Sequence, residues 1–377
     1  MSRADDLTVL LMDGERYPEN PYMSLSTGAL RELGADVRTP ELPLLFPLTR
    51  TALAHRDADV MQLDWVYDYY IISPTGDELI DRAATVLRAV TMLVDLVIVS
   101  LLPVAVVWTV HNERHHEGKY RRIERVVNEL LFSVADAVTV KCHAAIETIA
   151  ATYSFADPAD VSVVPDGNFI AAYENEASEE IAREELSIPE DAFVCLFFGL
   201  VREYKGIPEL IEAFVERDVP DTELWIVGNP HTDELRRELE TLSYGIGGVE
   251  TVFEFVPDDR IQHYMNAADV LALPYRNILN SGSAHLGLSY GIPVVAPTIG
   301  CLPETLPGEN FLYDPDDPDG LARALRRARE HPDLEAIGRS NHEHAVEQDW
   351  ETAAARLTGV YRLALDRSGS GPIFERA

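Results

Sequence analysis

The stretch FFGLVREYKGIPELIEAF, residues 197–214, reads as the end of a buried strand, a loop carrying Arg202 and Lys205, and a helix beginning near Pro208. The strand starts earlier, in FVCLFF (193–198), and the same alternation continues downstream. ELWIVG (223–228), VETVFEFV (249–256), DVLALP (269–274) and PVVAP (293–297) are apolar runs, with helical periodicity near 207–216, 232–242, 258–267 and 282–290. Upstream, LTVLLMD (7–13), VMQLDWV (60–66), VAVVWTV (104–110), AVTV (137–140) and VSVVP (161–165) alternate with helices near 22–33, 77–101, 119–133 and 143–152. Continuous β-branched runs separated by helices are repeated βαβ units, so the expected fold is α/β with two doubly wound, Rossmann-like parallel sheets.

The two halves set the expected boundaries. Residues 1–170 form a first domain, the acidic, polar stretch 171–192 is a linker, and 193–348 form a second domain. Residues 349–377 hold a last helix near 350–366 that could cross back to the first domain. Two such domains facing across a cleft place ligands at the carboxyl ends of their strands.

The 377 residues carry 31 basic and 64 acidic side chains, a formal charge of −33. That balance opposes nucleic acid, whose backbone needs a basic face. Only Lys119, Lys141 and Lys205 are lysines. An acidic, lysine-poor surface is screened at molar salt, which points to the cytoplasm of a salt-accumulating, haloarchaeal-type organism; an acidic protein of an ordinary cytosol is the alternative. Cys142, Cys195 and Cys301 form no CxxC pair, and the acidic first twenty residues do not read as a signal peptide. The apolar run 89–110 is long enough to span a bilayer, but Pro103 divides it. It reads as a buried helix followed by a buried strand, with interfacial insertion of the helix as the alternative.

Arg202 and Lys205, flanked by Gly199 and Gly206 at a helix start, combine fixed positive charge with free backbone N–H groups, which suits a diphosphate. A solvated loop pair is the plainer reading. Ser281, Gly282 and Ser283 stand where a second helix starts, either as a second diphosphate wall or simply as a cap.

With these residues in view, VREYKGIPELIEAF, ADVLALPY, GIPVVAP and TIGCLPE resemble the nucleotide-sugar half of GT-B glycosyltransferases, in particular the retaining family 4. VVWTVHNERHHEG (106–118), MQLDW (61–65) and VVPDGNF (163–169) look like its acceptor half. The resemblance implies a hexosyltransferase that uses a nucleoside diphosphate sugar as donor, with no cofactor and no metal. Arg202 and Lys205 would hold the diphosphate and stabilise the leaving charge, and His111 would face the transferred sugar. Gly14, Gly199, Asn280, Ser281, Gly282 and Ser283 complete the implied donor site. The acceptor, a glycan or a lipid-linked sugar, would meet Asn20, Tyr22, Asp64, Trp65 and Arg114.

The sequence departs from that family at one place. The positions of the usual E-x7-E glutamates, counted back from Gly291, hold Ile278 and Leu286, so Asn280, Ser281, Ser283 and His285 would have to supply the polar contacts. Asn20 in its Asn-Pro turn, Trp65 and Asp166-Gly167-Asn168 also admit structural readings, as a simple connection, a core residue and turn formers. Arg114, Lys119, Arg121, Arg122 and Arg125 make a basic amphipathic patch over 114–131, fitting a phosphate-bearing lipid acceptor or peripheral contact with the inner face of the membrane, or merely balancing local acid. His115-His116-Glu117, Asp57-Ala58-Asp59 and DPDDPDG (314–320) lack metal-ligand spacing. Two other functions are compatible with this fold: a sugar-nucleotide epimerase, and a non-catalytic sugar-nucleotide-binding partner of a membrane glycosyltransferase.

Overall fold

The computed structural model describes residues 4, 6–14, 20–72, 76–114, 120–154, 157–215 and 222–368. The chain divides into two compact units, one made of Met1–Gly167 with Trp350–Ala377 and one of Asn168–Asp349.

The first unit runs β1 (Thr8–Leu11), α1 (Pro21–Glu32), β2 (Asp36–Arg38), α2 (Pro47–Ala54), β3 (Val60–Leu63), α3 (Glu78–Val99), β4 (Ala105–Thr109), α4 (Arg121–Val134), β5 (Ala137–Val140), α5 (His143–Thr152) and β6 (Val161–Val163). All six strands are parallel, in the order β2-β1-β3-β4-β5-β6, with Val9 in register with both Val37 and Val60. The order reverses beside β1, so its carboxyl end and that of β3 frame a switch point. The β-branched run in β4 is buried on both faces, as a central parallel strand must be.

The second unit continues with α6 (Glu179–Leu186), β7 (Phe193–Phe198), α7 (Ile207–Val215), β8 (Thr222–Val227), α8 (Asp233–Ser243), β9 (Val249–Val252), α9 (Asp258–Ala267), β10 (Val270–Ala272) and α10 (Gly282–Tyr290). It ends with β11 (Val294–Pro297), α11 (Leu302–Thr305), β12 (Phe311–Tyr313), α12 (Gly320–Arg329) and α13 (Leu334–Glu347). Its sheet, also parallel, has the order β12-β11-β10-β7-β8-β9, and the switch point lies between β7 and β10. The stretch expected to be a linker, 171–192, lies in this unit. Its helix α6, capped by Ser178, buries Ala182 and Arg183 and packs on α9, because the apolar turn inside the acidic run is enough to anchor it.

The last helix, α14 (Trp350–Ser368), belongs to the first unit, where it packs on α1, β4 and β5. Leu357, Tyr361 and Ala364 join Val9, Val60 and Val107 in that unit's core.

The run 89–110 ends in a buried strand as expected, but its helix is buried on one face only. Thr85, Ala89, Met92, Leu96 and Val99 of α3 face inward, while Leu87, Val90 and Val94 are exposed. Asp95, the single charge of the run, is buried because its carboxylate accepts the N–H groups of Leu48 (2.8 Å) and Thr49 (2.9 Å). It thereby caps α2, whose own N-cap, Phe46, offers no side-chain acceptor. No helix of the described residues is long and apolar enough to cross a membrane.

Candidate functional site

In the second unit the switch point gathers residues from two loops. After β7 the backbone turns at Gly199, whose φ of +127° excludes most side chains. A Cβ there would lie 2.9 Å from Ser283 Oγ and 3.4 Å from Lys205 Nζ, so Gly199, Ser283 and Lys205 converge. Lys205 is buried, its ammonium 5.3 Å from the Tyr275 ring centroid and 5.7 Å from that of Phe197. Arg202 is half-buried at the start of the same short turn.

From β10 the chain reaches α10, where Ser281 Oγ accepts the N–H of Ala284 (3.2 Å) and donates to Tyr275 Oη (3.2 Å). Ser283 Oγ donates to the Phe198 carbonyl (3.0 Å), tying α10 to the end of β7. Gly282 is exposed at the helix start, and first-turn N–H groups have no intrahelical acceptor. Arg202, Lys205 and a helix amino terminus thus sit on one sheet edge, an arrangement suited to an anion. Asn280 is half-buried beside it, whereas Ile278, Leu286 and His285 are buried in the unit.

Gly206 fixes the loop. Its φ is +67°, and a Cβ would stand 2.0 Å from the Pro274 carbonyl oxygen, so no side chain fits without moving β10's exit. We expect Gly206→Ala to cost about 2–3 kcal/mol, read as a lower denaturant midpoint at unchanged m-value.

In the first unit the expected residues form a buried network at the carboxyl edge. His111 Nε2 lies 2.7 Å from Asp64 Oδ1, and Tyr22 Oη donates to the same oxygen at 3.3 Å. Trp65 stacks on the His111 ring at 4.6 Å between centroids, and Tyr22 meets it edge-on at 4.9 Å. Burial, reinforced by the Asp64 and Asp166 charges, holds the Tyr22 phenol well above its ordinary pKa, so it remains a donor. Asp13 Oδ2 accepts the N–H groups of Asp64 (3.0 Å) and Trp65 (3.2 Å), and Asp13 Oδ1 accepts from Tyr69 Oη (3.0 Å).

The sequence reading gave Lys141 and Asp13 no role in such a network and took Asp166 for a turn former. Lys141, directly after β5, donates to Tyr22 Oη (3.1 Å) and pairs with Asp166 Oδ1 (2.6 Å), and all three residues are buried. Lysine scarcity was the available signal, since a rare residue type that ends a central strand invites a reason. Asp166, read as a turn former, is an ion-pair partner.

The remaining residues have structural engagements. Asn20 Oδ1 accepts the Tyr22 N–H (3.1 Å) and caps α1, with Pro21 at its first position. Gly14 packs against Thr39, whose Cγ2 lies 2.3 Å from where a Cβ would be. Arg114 is exposed and pairs with Glu113 at 3.2 Å. Asp57 pairs with Arg38 (2.8 Å), Asp59 accepts the Thr8 N–H (2.7 Å), and the aspartates of 314–320 close turns and pair with Arg323. His115, His116, Glu117 and Lys119 lie outside the described residues.

Comparison with known proteins matches residues 192–331 to the family described as Glycosyl transferases group 1. The matched segment contains Gly199, Arg202, Lys205 and Ser281–Ser283. The chain is 28% identical over 255 residues to D-inositol 3-phosphate glycosyltransferase of Corynebacterium kroppenstedtii, covering 64% of this chain and 56% of that protein. It thus spans about half the length of this curated relative. Sucrose-phosphate synthase from Thermosynechococcus elongatus superposes with a TM-score of 0.73 at 18% identity, over 94% of this chain and 98% of that one. Anabaena Alr3699/HepE, solved in complex with UDP and glucose, gives 0.68 at 17% identity, again over 94% and 98%. These likenesses place the two doubly wound units in the GT-B fold class.

Proposed function

We propose that the chain is a glycosyltransferase that moves a hexose from a nucleoside diphosphate sugar to a hydroxyl of a glycan or lipid-linked acceptor, with retention and without a metal. The observation that carries this reading is the convergence of Lys205, Gly199 and Ser283 at the switch point of the second unit, inside the segment that matches the family. Negative charge develops on the diphosphate as the glycosidic bond breaks. Lys205 and Arg202 answer it with fixed cations, and the start of α10 adds backbone donors. Burial against Tyr275 and Phe197 thins the solvent around Lys205 and so strengthens its field.

In the first unit His111 faces the transferred sugar. Tyr22, Asp64 and Trp65 act by holding His111 in place, since the Tyr22 hydroxyl, the Asp64 carboxylate and one Trp65 face are already turned to it or to one another. Their effect on the acceptor is therefore indirect.

A thermal-shift series with UDP, GDP and their sugars in EDTA tests the donor site. One nucleotide at about 100 times its Kd is expected to stabilise the wild type by about 2.7 kcal/mol and Arg202→Ala/Lys205→Ala by almost nothing. No shift with any nucleotide overturns the donor assignment. An inverted anomeric product in NMR overturns retention alone.

A further inference from the structure

The outer face of α3 is apolar over most of its length. Leu87, Val90, Val94, Val97, Ile98 and Leu101 at its carboxyl end are 36–64% exposed. At 100° per residue they span roughly 100° of the helix, and with Leu79 and Val86 roughly 120°. No charged side chain falls within that stripe from Leu87 to Leu101, because Asp95 points inward to cap α2. The helix packs against both α2 and α4, which carry the exposed apolar residues Leu53 and Val126.

The charge around this face is the reverse of the rest of the chain. The protein carries −33, yet among the described residues from 82 to 135 the carboxylates are Asp95, Glu113, Glu124 and Glu129, all buried or half-buried, and the exposed acids of α3, Asp77 and Glu78, stand only at its amino-terminal end. Arg82, Arg114, Arg121, Arg122 and Arg125 are all exposed. An apolar stripe bordered by arginine, on a chain that elsewhere shows acid to its surroundings, complements a surface that is apolar beneath and anionic on top. A second copy of the chain fits less well. A two-fold contact through this face would set its arginines against their own copies.

We propose that the α3 face, with the α4 arginines, docks on an anionic lipid bilayer, the stripe entering the headgroup layer and the arginines meeting lipid phosphates. This placement joins the apolar face of α3 to the basic patch that the sequence singled out at the start of α4, and it does not depend on the transfer chemistry. Flotation of the full chain with vesicles tests it, using phosphatidylglycerol–phosphatidylcholine against pure phosphatidylcholine in 0.1 M KCl. Wild type is expected to float with the anionic vesicles and to remain monomeric by light scattering. Arg121→Gln/Arg122→Gln/Arg125→Gln lowers the partition coefficient about a hundredfold, and Val90→Glu/Val94→Glu/Val97→Glu abolishes flotation with circular dichroism unchanged. If the triple glutamate variant melts early, Val94→Glu alone is read in the same way. Wild type that stays at the bottom with both vesicles, or variants that float as well as wild type, overturns the proposal. A concentration-dependent dimer abolished by the glutamates also overturns it and makes the face a self-contact.

Discussion

Lys205→Met lowers kcat/KM by about 10²–10³, with most of the loss in kcat, while the melting temperature stays close to wild type. Methionine keeps an unbranched apolar stem against Phe197 and Tyr275, so packing survives and only the cation is lost. Removing one donor aimed at developing charge typically costs about 2.7–4 kcal/mol in the transition state, which sets that range. Because the charge grows during bond cleavage, the effect falls on kcat more than on KM. Lys205→Arg is not expected to rescue, since a bulkier planar guanidinium would replace a compact ammonium in a buried position between Phe197 and Tyr275. Steady-state kinetics with the donor identified by thermal shift provides the check; a rate within tenfold of wild type removes Lys205 from the mechanism.

Lys141→Met produces the largest loss of stability. The lysine pairs with the buried Asp166 carboxylate and holds the Tyr22 hydroxyl, so its removal takes an ion-pair partner at 2.6 Å from a buried charge. Breaking such a pair costs about 3–5 kcal/mol, whereas replacing both partners by apolar groups is often close to neutral. The double exchange Lys141→Met/Asp166→Leu should therefore recover most of the stability lost by the single one in urea unfolding. If the double variant is no better than the single, the pair is not the source of the loss. Tyr22 should lose its lysine partner in both variants.

The fold was legible because long apolar runs alternate with helical periodicity. The strand bounds 137–140 and 193–198 and the helix bounds 143–152, 258–267 and 282–290 coincide with the structure. What escaped the reading is short or charged. β2 is three residues, Asp-Val-Arg, at a sheet edge, and β12 is also three residues, so neither offers a periodic run. α2 is eight residues and is capped by Asp95 from 46 positions or more away, which no local pattern could reveal. In the candidate site, glycine and serine at loop–helix junctions announced the anion cradle directly. Buried partnership did not show. Asp13, Lys141 and Asp166 follow separate strands, β1, β5 and β6, and only the parallel order β1-β3-β4-β5-β6 brings the ends of those strands together. The same order sets Trp65, after β3, beside His111, after β4.

The first unit is discontinuous in sequence, with the 182 residues from Asn168 to Asp349 set between its main body and α14. During synthesis its sheet can assemble early, but α1, β4 and β5 wait for a helix made after the whole second unit, leaving Tyr22 and Val107 without Tyr361 in the meantime. The second unit has no such wait, since every strand it pairs is in one segment. A ribosome-stalled chain ending before Trp350 would therefore present a protease-resistant second half and a vulnerable first half, and the order of maturation would run opposite to the order of translation.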